Sequence, residues 1–104
     1  PVQSDKVAQL TAQTLRTPAL LVFWASWCGV CRVDLPVVGQ FAAAHNVPLY
    51  GIAYHDREQP LRQAVAELQP DVAFTALARD DDGVVANQFG LIGVPTLIVI
   101  DRDG

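Results

Sequence analysis

The 104-residue chain is 51% hydrophobic and 17% charged, a balance that fits one compact domain over residues 1–104 and leaves no room for a long disordered segment. Seven basic against eleven acidic residues give a net charge of -4 with no Lys/Arg tract, which argues against nucleic acid as a partner. The longest apolar run, Ala19 to Ala25, falls far short of the roughly 20 residues a membrane span requires, and two cysteines are too few for a disulfide scaffold.

The chain opens on Pro1 without an initiator Met or a charged and then apolar leader, which reads as a processed or trimmed product. Ser4, Asp5 and Lys6 ahead of Val7, Leu10 and Leu15 predict a capped amphipathic helix, weakened by Thr11, Thr14 and Thr17. Thr17-Pro18 breaks that segment, and Ala19 to Ala25 is a continuous apolar run of strand length, expected as a buried parallel strand. From Gly29 the pattern turns helical, with Cys31, Leu35, Val38 and Phe41 to Ala44 recurring at three and four until His45-Asn-Val-Pro48 stops it. Pro36 lies inside this helix and is expected to kink it.

Leu49 to Ala53 predicts a second strand, and Pro60 in a first helical position opens a helix over Leu61 to Leu68 that ends before Pro70. Phe74 to Ala78 reads as a short strand, Asp80-Asp-Asp-Gly83 as a turn, Val84 to Phe89 as a short helix, and Thr96 to Ile100 as a β-branched strand. Strands alternating with helices predict an α/β domain, a central sheet with helices on both faces. Asp101-Arg-Asp-Gly104 looks like a hairpin turn whose second strand is absent, so a final strand and helix are expected to be missing.

Chemistry concentrates in Trp24-Ala-Ser-Trp-Cys-Gly-Val-Cys31, which places Cys28 where a buried strand gives way to a helix. Unpaired amides and the positive end of the helix dipole stabilise a thiolate there, and motifs of this spacing lower a cysteine pKa from about 8.5 to between about 3.5 and 7.5. A fall to about 7 corresponds to roughly 2 kcal/mol. Cys28 is therefore the candidate nucleophile, and Cys31, one turn on, the resolving thiol. Two buried structural cysteines are the bland alternative, and a Cu(I) or zinc dithiolate site the sharper one. Such a site wants another soft ligand, and the chain has no Met and no third Cys, so neither metal nor cofactor is expected. His45 and His55 read as surface or capping residues, and Asp80 to Asp82 as a solvated turn without calcium-loop spacing.

These residues resemble the thioredoxin superfamily: Phe23-Trp-Ala-Ser-Trp-Cys-Gly-Val-Cys-Arg32, Pro36 five residues after Cys31, and Gly93-Val-Pro-Thr96 before a strand. The added stretch His55 to Arg79 is similar to the TlpA/ResA/DsbE (cytochrome c maturation) branch, and Cys-Gly-Val-Cys also resembles suppressor-of-copper-sensitivity D proteins. The resemblance implies a thioredoxin-like mixed sheet and a cis Pro95 against the disulfide. It also implies that the Val94 backbone pairs with an extended substrate, beside Trp27, Gly29 and Val30. It further implies an extracytoplasmic, periplasmic location, often with a membrane tether, and partners that are a disulfide-containing protein and an upstream dithiol/disulfide donor.

Two departures bear on mechanism. The buried Asp that thioredoxins carry six residues before the first cysteine is Val22 here. The ResA-like branch instead has an acid three residues after the second cysteine, a place taken by Asp34, which could take the Cys31 proton or simply favour the helix dipole. Arg32 reads as a solvated residue that raises local positive potential, Trp24 as packed under the site and Trp27 as partly exposed beside Cys28. Gly29-Val30 supplies no charge or side-chain donor to the thiolate, so a reductase is expected; an oxidase or isomerase, a dithiol metal carrier and a redox-inert interaction module remain the rivals.

Overall fold

A computed structural model describes residues 18–101. The helix expected after Ser4 and most of the terminal turn after Ile100 lie outside these residues. In chain order the elements are β1 (Ala19–Trp24), α1 (Gly29–Ala44), β2 (Leu49–Tyr54), α2 (Glu58–Leu68), β3 (Ala76–Asp80), α3 (Val84–Gln88) and β4 (Thr96–Ile100). The four strands form one sheet in the order β3-β2-β1-β4. β1 runs parallel to β2, and β2 to β3, while β4 lies antiparallel against the other side of β1, with Leu20 opposite Val99 and Val22 opposite Leu97.

β1 is buried on both faces because it has a strand on either side and helices above and below, which is why its sequence reads as an unbroken apolar run rather than an alternation. Its even residues Leu20, Val22 and Trp24 face one core with Leu35 and Ala42 of α1 and Leu61, Ala64 and Leu68 of α2. The odd residues Ala19, Leu21 and Phe23 face a second core with Tyr50, Ile52 and Ala86. Helices thus cover both faces of a mixed sheet, as the alternation predicted. Among the described residues no helix is long and apolar enough to cross a membrane.

Three boundaries differ from the sequence reading. α2 begins at Glu58, which puts Pro60 third in the helix; its missing amide is still one of those with no intrahelical partner. β3 is displaced two residues C-terminal of Phe74, because Phe74 leaves the sheet to stack on Trp24 with ring centroids 5.5 Å apart. Thr75 anchors that junction by donating its amide to the Leu49 carbonyl at 2.7 Å and accepting from the Leu49 amide at its hydroxyl oxygen at 3.2 Å. Asp80, read as turn, ends β3 opposite Tyr54, and its buried carboxylate accepts from the Val85 and Ala86 amides at the start of α3. α1 continues through Pro36.

Candidate active site

β1 hands the chain to α1 through only Ala25, Ser26 and Trp27, so Cys28 arrives at the N-cap of the helix with extended backbone (φ -95°, ψ 107°). Its sulfur accepts from the Cys31 amide at 3.2 Å, one of the amides with no carbonyl partner inside the helix. Cys28 and Cys31 are joined as a disulfide with Cα atoms 5.3 Å apart. Cys31 sits on the inward stripe of α1 with Leu35, Gly39 and Ala42 and is fully buried, whereas Cys28 retains 7% exposure at the surface of the core. Cys28 is thus the more exposed residue of the pair.

Opposite the disulfide, the loop entering β4 brings the Val94 carbonyl oxygen to 3.8 Å from Cys28 Sγ, and the Val94–Pro95 peptide is cis, as the resemblance implied. Thr96 donates its hydroxyl to the Gly93 carbonyl at 2.6 Å and so ties the loop to the first residue of β4. Val94 and Pro95 are half-buried; Trp27, Gly29 and Val30 are exposed around Cys28. These sequence-selected residues come together at one end of the sheet. Asp34 lies one turn beyond Cys31 on the same helix and is exposed to solvent. Trp24 is fully buried beneath the pair within the core that holds both cysteines, and its indole Nε1 has no hydrogen-bond partner.

Sequence reading missed the support of the corner. The Asp56 carboxylate, 6% exposed, accepts from the Ser26 amide and the Ser26 hydroxyl, each at 2.6 Å, and from the Arg57 amide at 2.9 Å. Trp27 donates its indole N–H to the His55 carbonyl at 3.0 Å and tilts against Tyr54. Arg32 donates to the Ser26 carbonyl at 3.4 Å and pairs with Glu67 of α2, bonding α1 to its neighbour. That guanidinium, with a second bond from Gln63, holds the Glu67 carboxyl below its ordinary value of 4.5. The only sequence signal for Asp56 is an acid between a strand and a helix, which any capping residue would give equally. His45 does cap α1, with Nδ1 3.0 Å from the Phe41 carbonyl oxygen.

The chain matches the family model of the AhpC/TSA family over residues 2–104. It is 37% identical over 98 residues to a thiol:disulfide interchange protein DsbE homolog of Paracoccus denitrificans, covering 92% of this chain and 52% of that protein. It is 36% identical over 104 residues to the thiol:disulfide interchange protein DsbE of Pseudomonas fluorescens, covering 99% of this chain and 56% of that one. The chain therefore spans about half the length of the curated relatives it matches. Among solved structures, MTB dsbF superposes with a TM-score of 0.74 at 38% identity, over 88% of this chain and 68% of that chain. A secreted Mycobacterium tuberculosis disulfide oxidoreductase homologous to E. coli DsbE gives a TM-score of 0.72 at 31% identity, over 93% and 68%.

Proposed function

Because the chain belongs to the AhpC/TSA family, we propose that it is a thiol-disulfide oxidoreductase of DsbE type that reduces disulfides of exported partner proteins through Cys28 and Cys31. One observation carries the reading: the more accessible sulfur of the pair caps α1, accepts the Cys31 amide at 3.2 Å and faces the Val94 carbonyl 3.8 Å away. The Cys28 thiolate attacks one sulfur of a partner disulfide, forming a mixed disulfide and expelling the partner's other thiolate, which takes up a proton. Cys31 then loses its proton and attacks Cys28 Sγ. The partner leaves with both sulfurs reduced, and the two electrons it gained are those lost in forming Cys28–Cys31.

Asp34, one turn beyond Cys31 and open to solvent, is the base we assign to the Cys31 proton. The exposed Trp27, Gly29 and Val30 and the Val94–Pro95 edge receive an extended partner segment. An upstream dithiol donor in turn reduces the Cys28–Cys31 disulfide. Like the branch the sequence resembles, the protein works outside the cytoplasm, in the periplasm, held by a membrane anchor.

The test is the equilibrium reduction potential of the couple in glutathione or dithiothreitol buffers, read by thiol alkylation. Known potentials of this fold run from about -270 to about -120 mV, a spread worth roughly 7 kcal/mol, so the number separates directions cleanly. A value near or below about -240 mV supports a reductase. One above about -160 mV makes the protein an oxidase or isomerase instead.

A further inference from the structure

We propose that Asp56 is a positioning residue for Cys28: together with the His55 carbonyl it forms a bracket that fixes the Ser26–Trp27 corner and hence the angle at which the Cys28 sulfur meets the α1 amides. The inference rests on Cys28 being the attacking thiol. Between Ala25, fully buried just after β1, and Cys28 there are only two residues, and each is held by one of two consecutive residues in the loop between β2 and α2. Asp56 takes the Ser26 amide and hydroxyl at 2.6 Å each, and the His55 carbonyl takes the Trp27 indole N–H at 3.0 Å.

Capping of α2 does not account for Asp56. The N-cap of that helix is Arg57, with no side-chain cap bond, and only one of the three bonds to the Asp56 carboxylate comes from α2's own start, the Arg57 amide. The other two come from 30 residues away. His55 adds an independent sign of design: its φ of 45° lies in the left-handed region, which a residue with a β-carbon keeps only where its surroundings impose it. There its ring Nδ1 sits 3.0 Å from the Asp81 carbonyl oxygen, and the site of a Gly83 β-carbon is taken up by the His55 imidazole, 2.8 Å away, so the bracket is itself braced from the β3–α3 turn.

A hydrogen bond weakens steeply as its angle departs from linear, so the bond from the Cys31 amide to Cys28 Sγ depends on how the corner delivers Cys28. An asparagine at position 56 has one acceptor oxygen where Asp56 has two and turns its NH2 donors toward N–H groups that must also donate. Two consequences of that change carry opposite signs. If Asp56 acts by position, D56N loosens the corner and weakens support of the thiolate. If it acts only as a nearby negative charge, D56N removes repulsion and strengthens that support.

The experiment reads iodoacetamide alkylation of Cys28 against pH in the full chain carrying C31S, so that one thiol reports, alone and with D56N or S26A. Circular dichroism checks folding. In chains with both cysteines, the equilibrium is measured for the exchange of one Cys28–Cys31 disulfide and two glutathione molecules against the dithiol and one glutathione disulfide. D56N is expected to slow alkylation at neutral pH about tenfold, raise the midpoint of the pH profile and favour the disulfide about tenfold, equivalent to about 30 mV. S26A, which removes one of the two cross-bonds, moves all three the same way by about threefold. Faster alkylation with a lower midpoint in D56N, or values within twofold of the parent for both variants, overturns the proposal. Where D56N fails to fold, S26A decides on the same criteria. A parent Cys28 that shows no enhanced reactivity at any pH removes the nucleophile reading, and the positioning role with it.

Discussion

Replacing Gly39 with alanine sets two effects of opposite sign against each other in the helix that carries both cysteines. Gly39 is the eleventh of the sixteen residues of α1, and its backbone is helical, so alanine there gains about 1 kcal/mol of intrinsic propensity. The added carbon, however, lands against the Asp71 carbonyl oxygen well inside contact distance, 3.1 Å from the Asp71 carbonyl carbon and 3.0 Å from Val72 Cα. These are backbone atoms and have no rotamer to swing away. Val72 is also held by its amide to the Leu68 carbonyl at 3.0 Å and lies 1% exposed in the core.

Either α1 or the segment after α2 must shift, and overpacking of this kind costs about 1 to 3 kcal/mol after relaxation, with the backbone contact placing it at the upper end. The net expectation for G39A is a loss of about 1 to 2 kcal/mol. With a slope of about 2 kcal/mol per molar urea, the unfolding midpoint falls by roughly 0.5 to 1 M. G29A on the same helix is the control: nothing lies within 4 Å of its added carbon, and its midpoint is expected to move by less than about 0.3 M. A G39A chain as stable as the parent, or more so, refutes the close approach of α1 to Asp71–Val72 as the reason glycine is needed there.

C31S is expected to accumulate mixed disulfides with partner proteins, visible as dithiothreitol-sensitive bands on non-reducing gels, and C28S to form none; trapping by C28S alone would reverse the assigned roles. D34N is expected to leave formation of the mixed disulfide unchanged and to slow its resolution about a hundredfold, measured by stopped-flow release of a fluorescent peptide; an unchanged release rate removes Asp34 from the chemistry. Glu67, held below its ordinary 4.5 by Arg32, contributes stability that is complete above pH 4.5 and lost as pH falls through its lower folded-state value. Both side chains are nearly half exposed, so E67Q should flatten the acid limb of the urea midpoint only slightly, and added salt should mask it.

The elements that were legible were those whose pattern is set locally. Ala19 to Trp24 announces a two-sided buried strand by its lack of polar positions, and α1 ends where His45 and Asn46 turn the chain. The ends of β3 were not legible, because Phe74 and Asp80 have roles set across the sheet: one stacks on Trp24, and the other pairs with Tyr54 while capping α3. At the site, the cysteine spacing could be read from the residues themselves, whereas Gly93-Val-Pro-Thr96 entered only through the family resemblance. Asp56 could not, since its partner Ser26 is 30 residues away and the two meet only because β1 and β2 run in parallel register, Trp24 beside Ala53.

The two halves of the site also differ in when they come into being. Cys28 and Cys31 are one helical turn apart, whereas Val94 reaches Cys28 from 66 residues downstream, on the loop that leads into β4. At synthesis rates of roughly 5 to 20 residues per second, Cys28 leaves the ribosome about 3 to 13 s before Val94 does. Alkylation of stalled chains ending on either side of β4 would register the interval as a change in thiol selectivity, and equal selectivity would rule it out. If the Val94–Pro95 edge receives the partner as proposed, the nascent chain spends those seconds as a cysteine pair without the surface that selects what it meets.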